Sequence, residues 1–263
     1  MEVKISLIIS TYNWVEALEM CLLSILNQST KPFEILVADD GSRNETKELV
    51  DFYRGKFDIP LLHVWQEDKG FRLAKIRNKA ILKSTGNFIC QIDGDIILHP
   101  KFIEDYLKVI EPNYYYRGSR VKLNKELSEK ICKSKQIYIN IFTSGLENRF
   151  NSIRIGLLHL IMGKARNEYK RALGCNMGFW KEDLLKVNGY SNDLVGWGHE
   201  DEELCVRLIN NGIFKKRIKH KAIVYHIHHE ERNSDLSDFH DNLIKKVYLE
   251  GVLKTKNGLN ELK

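Results

Sequence analysis

The sequence predicts an α/β fold built on a mostly parallel, doubly wound sheet. Three features of the first 112 residues carry that prediction. Short apolar runs recur, segments of helical spacing lie between them, and each run ends in polar residues suited to a turn. Repeated β-α units with short connections close into a parallel sheet of right-handed crossovers.

In order, Ile5–Ser10 is a continuous apolar run suited to a strand buried on both faces. Trp14, Leu18, Cys21, Leu22 and Ile25 recur at helical spacing. Phe33–Ala38 is a second strand, closed by Asp39-Asp40-Gly41-Ser42; Ser42 and Glu45 read as a capping box for the next helix, with Leu49, Phe52 and Tyr53 inward. Leu61–Trp65 is a third strand, Leu73–Leu82 a helix, and Phe88–Ile92 a fourth strand running into Asp93-Gly94-Asp95. Pro100 opens a helix carrying Ile103, Leu107 and Ile110. The second half is less regular. Tyr114–Lys122, Leu173–Trp180 and Lys215–Tyr225 each read as one strand, and Glu202–Asn211 as a helix stopped by Gly212. Phe239, Leu243 and Val247 mark a C-terminal helix, and there is no internal repeat.

The 263 residues are 43% hydrophobic and 29% charged, enough for one large α/β domain with an ordinary core. Five cysteines stand singly, without a Cys-x-x-Cys pair, which argues against a zinc knuckle or redox motif and fits a reducing compartment. No apolar stretch approaches the ~20 residues that span a bilayer, and the N-terminus lacks a secretory pattern. The expected location is the cytoplasm or the surface of a membrane. The net charge of +6 is uneven: Arg117–Arg171 holds 13 Lys/Arg against 4 Asp/Glu, or +9, leaving −3 elsewhere. Such a segment suits an anionic partner, or is simply a solvated face. Within it Ile153, Leu157, Leu160 and Ile161 form an apolar stripe among Arg154, Lys164, Arg166, Lys170 and Arg171. Packing against the body explains that pattern, and so does an in-plane membrane helix over 149–171.

Open α/β sheets bind ligands beyond the carboxyl ends of their strands. Here that rule selects the residues after Ser10, Asp39-Asp40, and Asp93-Gly94-Asp95. Asp93 and Asp95, on a turn relaxed by Gly94, can converge on Mg²⁺ or Mn²⁺. Asp39 and Asp40 exceed what a cap needs, and one can accept from a base N–H or a ribose hydroxyl. Arg77 and Asn78 lie near a helix start where a diphosphate could bind. In Gly196-Trp197-Gly198-His199-Glu200-Asp201, two glycines around Trp197 offer a stacking platform for a sugar face. Glu202 and Glu203 compensate a helix dipole, whereas Glu200 or Asp201 beside that platform suits a general base. His226 directly follows an apolar strand and could join Asp95 on a metal, while His220 and His228 read as surface residues.

Taken together, Ile8-Ile9-Ser10-Thr11-Tyr12-Asn13, Asp39-Asp40-Gly41-Ser42, Ala74-x-x-Arg77-Asn78 and Asp93-Gly94-Asp95 resemble family 2 glycosyltransferases of GT-A fold. The Gly-Trp-Gly-x-Glu-Asp element is similar to the carboxyl-terminal region of β-1,4-galactosyltransferases and bacterial chondroitin polymerases. The resemblance covers roughly residues 3 to 230. It implies a single GT-A (Rossmann-like) catalytic domain over 1–235, with a nucleotide-binding half (1–112) and an acceptor-binding half (113–235) that carries a basic helical insert (124–171). A helical tail over 236–263 would follow.

The resemblance also implies roles. Thr11 and one or both of Asp39 and Asp40 would contact uridine, with Tyr12, Asn13, Arg77, Asp93 and Gly94 completing the donor site. Asp95, with Asp93 and His226, would hold Mn²⁺ or Mg²⁺, His229 being the less favoured ligand. Trp197, Gly198 and Glu200 would hold the acceptor and Asp201 would be the base of an inverting transfer. The donor would be a UDP-sugar of the Gal, GalNAc, Glc or GlcNAc type, and the acceptor a glycan or lipid-linked glycan, with β-linkage formed. His199 stands where galactosyltransferases usually have glycine, and the chain has one such domain, which favours transfer of a single sugar. A nucleotidyltransferase is the rival enzyme, but the turn after the first strand has no Gly-rich phosphate loop. A non-catalytic glycan- or nucleic-acid-binding module would leave the acids at the strand ends unexplained, and nucleic acid is not an expected partner.

Overall fold

A computed structural model describes residues 2–155, 169, 172, 174–196, 198–230 and 237–263. The first half alternates strand and helix: β1 (Ile5–Thr11), α1 (Val15–Leu26), β2 (Glu34–Asp39), α2 (Asn44–Arg54), β3 (Leu61–Trp65), α3 (Leu73–Lys83) and β4 (Phe88–Asp93). Every residue of β1 and β2 is buried, as expected of strands covered on both faces. Leu7, Ile9, Ile35 and Val37 pack under α1 and α2, while Ile8, Leu36 and Ala38 meet Ile76 and Ala80 of α3 on the other face. Strands β4, β1, β2 and β3 lie side by side and parallel, so the doubly wound α/β class is correct.

The second half departs from the simple reading. Tyr114–Lys122 is two strands, β6 (Tyr114–Arg117) and β7 (Ser119–Leu123), and Lys215–Tyr225 is also two, β10 (Phe214–Arg217) and β11 (Ile223–His226). Both segments leave the large sheet at matching points. β10 pairs with β6 there, and β11 with β7 in a smaller sheet that also holds β5 (Ile96–Leu98) and β8 (Leu146–Glu147). Gly118 marks the crossing: a Cβ there would stand 2.1 Å from the Asn176 side chain. Polar residues interrupt the apolar pattern at both breaks, Arg117-Gly118-Ser119-Arg120 and Lys219-His220-Lys221, but a single strand with one exposed face shows such residues as well. β9 (Asn176–Trp180) runs antiparallel between β4 and β6, making the large sheet mixed.

The remaining helices are α4 (Phe102–Leu107), α5 (Lys125–Ser134), α6 (Lys181–Lys186), α7 (Glu200–Asn210) and α8 (Ser237–Leu249). The capping box at Ser42 does not form. Arg43 is the N-cap of α2 without a side-chain bond, and the Ser42 hydroxyl accepts the Asn13 N–H at 2.8 Å instead. All five cysteines are free, four of them buried. Of the basic stripe, Ile153 and Arg154 are described. Arg154 makes a forked ion pair with the buried Asp105, at 2.6 Å to its Oδ1, which is packing against the body. Leu157, Leu160, Ile161, Lys164, Arg166, Lys170 and Arg171 lie outside the described residues. Among the described residues no helix is long and apolar enough to cross a membrane.

Candidate active site

The carboxyl ends of β1, β2 and β4 open onto a cavity of about 340 Å³. Thr11, Tyr12, Asp40, Asp93, Gly94, Asp95, His226 and His229 all line it, eight of the residues singled out from sequence. Trp14, Phe71 and Leu73 supply apolar wall. Gly94 is needed for close approach: its N–H donates to Ser10 O at 2.7 Å, and a Cβ would stand 3.1 Å from that oxygen and from Thr11 Oγ1.

The two aspartates after β2 separate. Asp39 is fully buried and turned into the protein, with Oδ1 accepting the Ser42 N–H at 2.8 Å and Oδ2 meeting His63 Nε2 at 2.8 Å. It braces the turn and does not line the cavity. Asp40 does line it, held by Gln66 Nε2 at 2.6 Å and the Arg72 N–H at 2.7 Å, and burial raises its pKa. Asn13 is also a brace: in the left-handed region (φ 48°), it accepts the Arg43 N–H on Oδ1 at 2.9 Å. The Tyr12 hydroxyl donates to Asp68 at 2.8 Å, tying the turn after β1 to the loop after β3.

Asp95, His226 and His229 come together, each offering a ligand atom within 4.8 Å of the others. Asp95 leads into β5 and His226 ends β11, and the antiparallel pairing of those strands places them side by side. His226 Nε2 lies 3.6 Å from Asp95 Oδ1, and His229 Nε2 lies 3.4 Å from Oδ2. Asp95 Oδ1 is buried and has no hydrogen-bond partner, an expensive state for a carboxylate that a cation would relieve. Burial, then the Arg120 charge, depress the His226 pKa to about 4, so at neutral pH the ring is neutral and able to ligate. A carboxylate and two imidazoles fit a divalent transition metal. His229, the less favoured ligand from sequence, is thus as well placed as His226, whereas Asp93 is outside this cluster.

Arg77 departs furthest from expectation. It is 1% exposed and does not line the cavity. Nε donates to Ser10 Oγ, Nη1 to Glu200 Oε1 and Asp201 Oδ1, and Nη2 to Asp93 Oδ1, all at 3.1 Å. A guanidinium engaged by three carboxylates is a charge hub that organises the site, which corrects its reading as a diphosphate ligand. Asn78 is likewise committed to the fold, bonding the Tyr190 backbone.

Asp201 Oδ1 faces two further donors, Tyr190 OH at 2.9 Å and Gln91 Nε2 at 3.2 Å. Ser10, Gln91 and Tyr190 were not singled out from sequence. Gln91 carried a signal, being the only polar residue in the run Phe88–Ile92. Tyr190 carried none. Trp197 lies outside the described residues, and Gly198, with φ +99°, has open space where a Cβ would be.

One positive charge cannot balance three ionised carboxylates, and Glu200 takes the strain. Its Oε2 is buried without a partner, and burial followed by the Asp201 charge pushes its pKa to about 8. A carboxyl with a raised folded-state pKa binds more protons folded than unfolded, so its contribution to stability falls as pH rises, from its ordinary value up to about 8. Glu200→Gln keeps an acceptor for Arg77 and removes the charge. It is expected to raise the melting temperature by about a few degrees at pH 8 and very little at pH 5. Thermal scans across that window check this; a gap that is constant with pH counts against it.

The geometry can be set beside known proteins. The profile described as Glycosyl transferase family 2 matches residues 6–165, and that described as N-terminal domain of galactosyltransferase matches residues 159–230. The chondroitin synthase of Escherichia coli is 26% identical over 238 residues, 84% of this chain and 34% of that protein. The validoxylamine A glucosyltransferase of Streptomyces hygroscopicus subsp. limoneus is 26% identical over 226 residues, 80% of this chain and 48% of that protein. The chain therefore spans between a third and a half of the length of these relatives. Among solved structures, a Pyrobaculum calidifontis mannosyltransferase in complex with GDP-Man and Mn²⁺ aligns with a TM-score of 0.59 at 17% identity, over 95% of this chain and 62% of that one. S. aureus TarS 1-349 in complex with UDP-GlcNAc aligns at 0.62 and 17%, over 98% and 69%. At such identities the likeness is one of fold.

Proposed function

The chain belongs to the family 2 glycosyltransferases and has their GT-A fold, and from that premise we propose that it transfers one sugar from a UDP-sugar to a glycan or lipid-linked glycan, with a divalent metal and with inversion. The observation that carries this reading is the meeting of Asp95, His226 and His229 on the wall of the same cavity that Thr11 and Asp40 line. A nucleotidyltransferase or a non-catalytic module has no support from the family.

Thr11 and Asp40 hold the uridine end and Asp93 lies by the ribose. Asp95, His226 and His229 hold the cation, and two imidazole nitrogens suit Mn²⁺ better than Mg²⁺, which prefers oxygen. The cation supplies charge neutralisation for the departing diphosphate. Asp201 accepts the proton of the acceptor hydroxyl as that oxygen bonds to the anomeric carbon. The anomeric C–O bond to the diphosphate breaks on the opposite face, and its electron pair leaves with UDP. An α-linked donor then gives a β-linked product. Glu200, Gly198 and Trp197 receive the acceptor.

A panel of UDP-Gal, UDP-GalNAc, UDP-Glc and UDP-GlcNAc tests the donor. At least one is expected to stabilise the protein and be slowly hydrolysed, only with Mn²⁺ present. Stabilisation by GDP-mannose with no response to any UDP-sugar overturns the UDP assignment.

A lipid-linked acceptor draws support from one stretch of the chain. Tyr138, Phe142 and Phe150 are 83%, 88% and 75% exposed. Residues 130–155 carry five Lys/Arg and one acid, and Lys133, Lys135 and Arg149 are exposed. Exposed aromatics among basic residues suit the interface of an anionic bilayer. This gives the proposed peripheral site at the inner face of the cell membrane a more definite contact than 149–171 alone. Phosphatidylglycerol vesicles are expected to float the wild type and to leave Tyr138→Ser/Phe142→Ser/Phe150→Ser behind. Equal recovery of the two would sink the membrane contact.

A further inference from the structure

The matched families end at residue 230, yet the segment 255–261 is bonded to the turn that presents Tyr190. Asn188 (φ 63°) and Gly189 (φ 66°) are consecutive left-handed residues in the turn that presents Tyr190. Such a conformation is costly for asparagine and persists where neighbours over-determine it. The tail does so. The Leu259 and Asn260 N–H groups donate to Asn188 O at 3.0 Å and Oδ1 at 2.9 Å, and Asn188 Nδ2 donates to Thr255 O at 3.0 Å. Asn192, on the far side of Tyr190, donates its N–H to Asn257 O and its Nδ2 to Gly258 O, both at 2.8 Å. Leu259 is buried and fills the space beside Gly189, where a Cβ would stand 2.5 Å from its Cγ.

Inside this clasp Tyr190 has little freedom. Its N–H donates to Asn78 Oδ1 and its carbonyl accepts Asn78 Nδ2, both at 2.8 Å, and its ring lies 5.5 Å from the Arg77 guanidinium. Its hydroxyl has one proton and two acceptors, Gln91 Oε1 at 2.6 Å and Asp201 Oδ1 at 2.9 Å. With Arg77 and Gln91 also donating to Oδ1, the carboxylate is held through one oxygen, and Oδ2 lies against Gly174, where a Cβ would stand 2.0 Å from it. Asp201 is the second residue of α7, whose N-cap is the left-handed His199.

We propose that Tyr190 is a positioning residue for Asp201, and that the C-terminal segment 255–261 acts on turnover through it by clamping the Asn188–Asn192 turn. This rests on Asp201 being the base. It makes the tail part of the catalytic unit, and a division at residue 235 would cut through that unit.

The test is a double-mutant cycle on the full chain with Mn²⁺, reading turnover of the UDP-sugar and UDP affinity by calorimetry. Tyr190→Phe, Asn257→Ala and deletion of 252–263 are each expected to lower kcat roughly 10- to 100-fold, as loss of reactive geometry does. UDP affinity should stay within about twofold, because Tyr190 and segment 255–261 do not line the donor cavity and the Arg77–Asp93 bond that connects the network to it is kept in each variant. Asn257→Ala on the Tyr190→Phe background should cost almost nothing more. Multiplied losses, unchanged kcat, or parallel loss of UDP affinity each overturn the proposal. If the deletion does not fold, Asn257→Ala, which removes only two side-chain contacts, carries the test. Full turnover in Asp201→Asn would instead remove the base assignment on which the proposal stands.

Discussion

Asp201→Asn is expected to lower transfer by about 10²–10⁴-fold, the range for a lost general base, with UDP affinity in the presence of Mn²⁺ held within about twofold. Asparagine keeps a carbonyl oxygen where Oδ1 accepts from Arg77, Gln91 and Tyr190, so the local bonding survives. What disappears is the atom that can take a proton. Burial still raises the Glu200 pKa in that variant, although the Asp201 charge that adds to the shift is gone. Single-turnover rates with saturating donor separate this effect from binding. Near-wild-type rates would mean that another group, Glu200 first among them, receives the proton.

The second large effect is on metal. Asp95→Asn leaves two imidazoles and an amide where a carboxylate stood, and the Mn²⁺ concentration for half-maximal UDP binding is expected to rise about 100-fold or more. Asp95 Oδ1 is the buried, unpartnered oxygen of the cluster, so its attraction for a cation is undiminished by any competing donor. His226→Ala and His229→Ala should each weaken Mn²⁺ as well, since both rings reach the same carboxylate. Calorimetric titration of Mn²⁺ in the presence of UDP reads all three. Unaltered Mn²⁺ dependence in the Asp95 variant would move the metal elsewhere.

The four parallel strands were legible because each is an apolar run closed by polar residues, and Leu61–Trp65 matches to the residue. The strand-end rule then led to the cavity without help from any single motif. Other features were illegible for physical reasons. The breaks near Gly118 and after Arg217 are marked only by short polar stretches, which a single half-buried strand shows as well. Arg77 looked like an anion ligand because a sequence cannot say which way a guanidinium turns, and three carboxylates from two elements claim it. Asp39 and Asp40 are adjacent and chemically identical, and only the alternation of strand faces sends one inward to His63 and the other to the cavity. Tyr190 depends on a partner eleven residues away and on a tail beyond residue 250, contacts that no local pattern encodes.

The sharing of Arg77 has a consequence for building hybrids. Its guanidinium comes from the donor half, two of its three carboxylates come from the acceptor half, and the third, Asp93, sits beside the metal site. A graft that imports a foreign acceptor half without acids at positions 200 and 201 would strand a buried cation, and one that loses Arg77 would crowd three anions together. Either mismatch would reach the donor site through Asp93. Swapping halves between relatives to change specificity therefore requires this four-residue charge set to be inherited whole.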